Sequence, residues 1–249
     1  MTPKKLLTVL KFGTTSVCDS STLAIRDNWM LTVAEDVKDL LTHGQGVLIF
    51  SSGGLATGKK RAIKSNLNQE ILLDKNTLGA IGLSELLFKW QQAFDRVGLS
   101  TATLTITEDD VTNTPVCSLI ERLLDQGITP IINENIPLQT SFNNDELAAR
   151  ICNELAAERF VLFTDTDGIY TDNPKTNPDA EHLQSVNIND LNLNVDDQNA
   201  GLGSGGMKAK LEAAIKVKRT GTRTIIANGV DMHPLRNLGN AEKCTILLE

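Results

Sequence analysis

Short apolar runs alternate along this chain with longer stretches of helical period. Leu6-Leu-Thr-Val-Leu-Lys-Phe12 opens the series; a run of that length bounded by turn residues reads as a buried strand. Val47–Phe50, Thr129–Asn133, Phe160–Thr164, Thr222–Ala227 and Cys244–Leu248 also read as strands, and Thr101–Thr107 alternates as one. Helical patterns lie between them. Ser21 or Thr22 is placed to cap a long helix reaching about His43, with Gly44 as its stop. A second helix spans about Leu78 to Val97, with Leu83, Leu86, Leu87 and Trp90 on one face. Others follow at Pro115–Asp125, with proline in the first turn, at Asn144–Ala157 and at Lys208–Thr220. The segment from Ala56 to Lys75 is basic and shows no period, so it reads as irregular.

This rhythm of apolar strand, loop and helix predicts an α/β fold. It is a three-layer sandwich with a mainly parallel sheet covered by helices on both faces, one domain over residues 1–249. Ligands of such sheets bind beyond the carboxyl ends of the strands. Those ends read Lys11-Phe-Gly-Thr-Thr, Ser51-Ser-Gly-Gly, Asn133-Glu-Asn-Ile and Thr164-Asp-Thr-Asp-Gly. Any strand must end in a turn, so one polar end says little. Four of that character point to one shared site.

Composition narrows the classes. The chain has 249 residues, 41% of them hydrophobic, enough for a sizeable core. Its net charge is −7 and no long basic run occurs, which argues against a nucleic-acid or anionic-membrane partner. The apolar run Leu6–Leu10 is too short for a leader, and no stretch is long enough to span a bilayer. Cys18, Cys117, Cys152 and Cys244 are far apart and read as reduced thiols of a cytoplasmic protein. His43, His182 and His233 are equally scattered, so no metal site built from protein ligands alone is expected.

The stretch Gly201-Leu-Gly-Ser-Gly-Gly-Met-Lys-Ala-Lys210 carries the strongest chemical signal. Glycines let backbone N–H groups approach an anion, and a following helix N-terminus favours negative charge. Its spacing also fits G-x-G-x-x-G, but a dinucleotide fingerprint needs a strand before it, and Asn187–Ala200 is polar. Lys11 sits at the end of an apolar strand, where a lysine needs a partner for its ammonium or an edge from which to reach water. Phosphoryl transfer is mainly positioning and charge neutralisation. Lys11 and Lys210, from opposite sides, can stabilise a transferring phosphoryl group, and Asp145 at a helix start can hold both ammonium groups. Neither G-x-x-x-x-G-K-[ST] nor the H-R-D and D-F-G pair of protein kinases is present.

The set Lys11-Phe-Gly-Thr-Thr, Ser51-Ser-Gly-Gly, Pro130-Ile-Ile-Asn-Glu-Asn135, Asn143-Asn-Asp145, Phe163-Thr-Asp-Thr-Asp-Gly-Ile-Tyr-Thr171 and Gly201-Leu-Gly-Ser-Gly-Gly-Met207 resembles the amino-acid kinase superfamily, most of all its glutamate 5-kinase branch. The likeness covers nearly the whole chain, as a kinase domain without the C-terminal PUA domain that many of those enzymes carry. It implies the amino-acid kinase fold, a homo-oligomer (dimer or tetramer), Mg-ATP as donor and glutamate as acceptor, giving glutamyl 5-phosphate, the first step of proline biosynthesis. By the same resemblance Lys11 and Lys210 are the transition-state lysines and Asp145 their organiser. Gly13, Thr14, Ser204, Gly205, Gly206 and Met207 contact phosphate, and Thr164 and Asp165 lie at the nucleotide. Ser52, Gly53, Asn135 and Asn144 hold the acceptor. Mg2+ is held mainly by phosphate oxygens and water.

One position departs from the family pattern. Ile136 stands where an aspartate usually helps to bind the amino-acid acceptor, and Asn143 where an acid is common. Isoleucine cannot pair with an ammonium, so either Glu134 takes over or the acceptor is not free glutamate. Two other functions therefore stay open: a kinase of this fold acting on another small carboxylate, carbamate or phosphate, and a catalytically silent nucleotide-binding regulator. The cluster Lys59, Lys60, Arg61 and Lys64 is a solvated surface run or an anion site.

Overall fold

The computed structural model describes residues 6–65, 73–112, 114–138, 143–190 and 206–249. In chain order the elements are β1 (Leu7–Phe12), α1 (Thr14–Val17), α2 (Asp27–Thr42), β2 (Gly46–Ser51), α3 (Gly54–Lys64), α4 (Lys75–Arg96), β3 (Thr101–Ile106), α5 (Glu108–Thr112), α6 (Thr114–Asp125) and β4 (Thr129–Glu134). They continue with α7 (Asn144–Glu154), β5 (Arg159–Thr164), β6 (Ile169–Tyr170), β7 (His182–Leu183), β8 (Ser185–Asn187), α8 (Met207–Lys218), β9 (Arg223–Asn228) and β10 (Cys244–Leu248). The main sheet has eight strands in the order β3-β4-β2-β1-β5-β9-β10-β8. Every pairing in it is parallel except β9 with β10. A small antiparallel pair, β6 and β7, stands apart.

Strand β1 is buried along its whole length and pairs with β2 on one side and β5 on the other. Alternation of side chains sorts it between two cores. Leu7 and Val9 join the cluster under α7 and α8, while Leu10 and Phe12 join the cluster under α2 and α4. The second cluster is anchored by rings: Phe12 stacks on Phe163 at 4.5 Å and meets Trp29 edge-on at 5.1 Å. Such pairs contribute about 0.5–1.5 kcal/mol beyond their buried area. Lys11 follows the parity of Leu7 and Val9 and is therefore directed toward α7 and α8. The chain leaves β1 for β2 on one side and later returns to β5 on the other. The switch in strand order thus falls at the carboxyl end of β1, where doubly wound sheets open a crevice.

Three expectations need correction. The stretch read as irregular from Ala56 begins inside helix α3. Its low propensity comes from glycines that serve packing: a Cβ on Gly58 would lie 1.9 Å from the Leu78 carbonyl oxygen, and one on Gly82 would lie 2.0 Å from that of Gly54. Helices α3 and α4 are in backbone contact there, which only glycine permits. The second helix accordingly starts at Lys75, with the Asp74 side chain accepting from Thr77 N–H at 2.7 Å. Finally, Ser21 and Thr22 do not cap α2. Both donate through backbone and hydroxyl to Asp19 Oδ1 at 2.7–3.0 Å, closing a local turn. The helix begins at Asp27 and ends before Gly44, whose φ of +75° matches its expected role as the stop.

Candidate active site

The carboxyl end of β1 is the centre. Lys11 is 2% exposed, and its Nζ lies 2.5 Å from Asp145 Oδ1. Lys210 Nζ lies 3.6 Å from the other oxygen, Oδ2. One buried carboxylate thus faces two buried ammonium groups, each brought by a different element. Asp145 sits in the first turn of α7, where a negative charge suits the helix dipole. Asn143 caps that helix, its Oδ1 accepting from the N–H groups of Asp145 at 3.0 Å and Glu146 at 3.1 Å. Lys210 comes from the start of α8, where a cation is unfavourable by itself and Asp145 offsets the misfit.

Burial dominates the electrostatics. It pushes the Lys11 ammonium down to about 8, against the pull of Asp145 and with the help of Lys210. Burial also acts to raise Asp145, but the two lysines outweigh it and hold the carboxyl below its usual range. Glu134, at the end of β4, is pushed up to about 7 by burial, although Lys75 and Lys11 oppose the shift.

The other predicted residues ring this centre. Gly13 precedes α1, and its carbonyl accepts from Ser16 N–H at 3.1 Å; Thr14 begins that helix and is buried. Ser52 N–H donates to the Phe12 carbonyl at 2.9 Å, which ties the β2 turn to β1. Gly53 has φ +117°, a left-handed conformation that lets α3 start immediately after it. Asn144 reaches both sides of the crevice: its Oδ1 accepts from Glu134 N–H at 2.9 Å, and its Nδ2 lies 3.5 Å from Ser52 Oγ. Asn135 N–H donates to the Ile106 carbonyl at 2.8 Å. Ile136 is buried, with its methyl groups against the bare backbones of Gly54 and Gly79.

On the far side, Thr164 ends β5 and its carbonyl accepts from Gly229 N–H at 2.8 Å, while Asp165 forms an ion pair with Lys175. Gly206 precedes α8 with extended backbone and no side-chain cap, and Met207 is the first residue of the helix. Ser204 and Gly205 lie outside the described residues.

A family model, the amino acid kinase family, matches residues 7–228, which takes in every described site residue. The chain belongs to the amino acid kinase family. Among the family's curated relatives, a glutamate 5-kinase from Paramagnetospirillum magneticum is 34% identical over 96% of this chain and 67% of its own length. One from Gluconobacter oxydans is 33% identical over 95% and 65%. The chain spans about two thirds of the length of these relatives. Solved structures agree on the fold. An isopentenyl phosphate kinase from T. acidophilum superposes with a TM-score of 0.69 at 17% identity, covering 97% of this chain and 100% of that one. A carbamate kinase from Giardia lamblia bound to AMP-PNP gives 0.70 at 18% identity and covers all of both chains. At such identities the likeness is one of fold alone.

Two residues that hold this candidate site together were given no role from sequence. Asn143 was legible in principle, since a capping residue followed three positions later by Glu146 is a helix-start signature. Lys175 was not, because its pairing with Asp165 depends on how the segment after β5 folds back. Among the described residues no group of three or more His, Cys, Asp and Glu converges to hold a metal, and no helix is long and apolar enough to cross a membrane.

Proposed function

We propose that this chain transfers the γ-phosphoryl group of ATP to the side-chain carboxylate of L-glutamate, giving glutamyl 5-phosphate and ADP. The observation that carries the reading is the buried Lys11–Asp145–Lys210 arrangement at the switch point of the sheet. A buried carboxylate that holds two ammonium groups has little value for stability, since desolvation offsets most of the attraction. It has value where negative charge arrives. The donor phosphates bring that charge, and the two lysines neutralise it on either side of the transferring group. The acceptor oxygen attacks phosphorus while the bond to the β-phosphate oxygen breaks and ADP leaves. Because the acceptor carboxylate is already ionised near neutral pH, no general base is required. The absence of a histidine from the crevice fits this.

Gly13, Thr14 and the uncapped start of α8 at Gly206 offer N–H and hydroxyl groups to the phosphates. Thr164 and Asp165 stand toward the nucleoside end. Mg2+ would be held mainly by phosphate oxygens and water and would supply further charge neutralisation. Ser52, Gly53, Asn135 and Asn144 line the acceptor side. The glutamate 5-kinase relatives, matched along nearly the whole chain, support this choice of acceptor.

The test is ADP formation from Mg-ATP with hydroxylamine present, which converts an acyl phosphate to a hydroxamate and releases phosphate. Glutamyl hydroxamate is the expected product. A different hydroxamate, or ADP formation with a carbamate or phosphate acceptor, would transfer the enzyme to another acceptor class. Tight nucleotide binding without ADP formation for any acceptor would make the chain a regulator.

A further inference from the structure

The crevice holds one acid whose role the phosphoryl chemistry leaves open. Asp145 is committed to its two lysines. Glu134 is not. It is 3% exposed, its backbone N–H is fixed by Asn144, and among the described residues its Oε2 is buried without a hydrogen-bond partner. A buried carboxyl oxygen left in that state is costly, so it calls for an explanation. The charged groups that act on it are Lys75 at the start of α4, Lys11 on β1 and Asp145 on α7. Two residues on, Ile136 is buried with its apolar side chain against Gly54 and Gly79 and offers nothing to a cation.

We infer that Glu134 selects acceptors that carry an ammonium group, by pairing its orphan carboxyl oxygen with that ammonium. The inference rests on the amino-acid acceptor proposed above. Such an acceptor presents a carboxylate to the lysines and an ammonium elsewhere. Among the described residues lining the acceptor side (Ser52, Gly53, Glu134, Asn135, Ile136 and Asn144), Glu134 is the acid. An ammonium brings three donors, enough to satisfy Oε2 and to hold the carboxylate ionised. Binding then has a proton signature. With burial holding the empty site's carboxyl up to about 7, an ammonium-bearing acceptor displaces the Glu134 proton in mildly acidic buffer, whereas an acceptor without the amine leaves it in place.

The experiment compares glutamate with glutarate, and aspartate with succinate, in the hydroxamate assay, for the wild type and Glu134→Gln. The wild type is expected to prefer the amine-bearing member of the accepted pair. Glu134→Gln should reduce that preference by at least about tenfold, mainly through the KM of the amine-bearing acid. Product formation with an unchanged preference would overturn the inference while leaving the glutamate reading intact, whereas a wild type that uses glutarate and not glutamate would overturn both. No product from any of the acids would sink the glutamate reading and the inference with it. A second measurement needs no variant: calorimetry in buffers of different ionisation enthalpy at about pH 6.5 should show proton release with glutamate and none with glutarate. Equal proton release for both would also overturn the pairing.

Discussion

Asp145→Asn isolates the central electrostatic claim, because it removes one charge and leaves the shape nearly unchanged. In the wild type the carboxylate faces Lys11 at 2.5 Å and Lys210 at 3.6 Å. At an effective dielectric constant of about 20, each contact is worth on the order of 4 kcal/mol or more in Coulomb attraction, most of it cancelled by the desolvation of three charges. Removing the acid leaves that desolvation in place and deletes the attraction. A loss of about 3–5 kcal/mol in unfolding free energy is therefore expected at pH 7, the cost of breaking a buried pair from one side. Lys11 also loses the main influence that raises its pKa, and its ammonium falls further below about 8. The variant should thus recover stability as pH rises and the lysine sheds its proton. Urea unfolding from pH 6.5 to 9 measures this, with the wild type as reference. Replacing all three charged residues together (Lys11→Met, Asp145→Leu, Lys210→Met) should regain most of the lost stability while abolishing turnover. If Asp145→Asn is as stable as the wild type at pH 7, or if the triple variant is no more stable than the single one, the account of the site as a buried, mutually compensated charge cluster is wrong.

Further tests follow from the same geometry. Lys11→Met and Lys210→Met should each lower kcat by about 10²–10³-fold, as loss of one charge-stabilising donor does, while equilibrium dialysis still detects bound ATP; full activity in either would remove that lysine from the chemistry. Glu134, raised to about 7 from 4.5, imposes a cost that is absent below pH 4.5, grows between pH 4.5 and 7 and is complete above. Apo stability should therefore fall by up to about 3 kcal/mol across that window, and Glu134→Gln should flatten the slope; an unchanged slope in the variant would show that the carboxyl titrates normally. Gly82→Ala would place a Cβ 2.0 Å from the Gly54 carbonyl oxygen, so a loss of more than about 2 kcal/mol is expected in thermal or urea melts, and a neutral result would mean that α3 and α4 part easily.

The parts of this molecule that were legible in the sequence are those governed by local period. The central strands β1, β2 and β4 appear as short apolar runs because both faces of the sheet are covered there, the partly exposed edge strand β3 alternates instead, and Cys244–Leu248 came out with its observed bounds. Lys11 was recognisable because a lysine among Leu10 and Phe12 needs a reason to be there, and Asp145 because it begins a helix. The distances that join them were not legible, since they depend on where α7 and α8 cross the sheet. Helix α3 was missed for a related reason. Gly54 and Gly58 lower its helix propensity, and their benefit appears only when Leu78 and Gly82 of α4 are brought against them. Ser21 and Thr22 misled because a helix cap and an Asx turn use the same hydroxyl chemistry, and Asp19 was close enough to win. The glycine-rich stretch before Gly206, residues 201–205, lies outside the described residues.

The glycine seam between α3 and α4 bears on how acceptor choice can change. Ile136 rests in a notch whose floor is Gly79, where an added Cβ would lie 2.4 Å from its Cγ2. That floor belongs to the same helix as Gly82, and α3 leaves directly from the Ser52-Gly53 turn. Helices α3 and α4 therefore form a closely packed two-helix panel beside the proposed acceptor residues Ser52 and Gly53. A single methyl at Gly79 would force Ile136 to shift, and on the proposed assignment this reshapes the acceptor side without substituting Lys11, Asp145 or Lys210. On the proposed reading, acceptor fit and phosphoryl chemistry are thus open to independent adjustment, one through the helix panel and the other through the charge cluster.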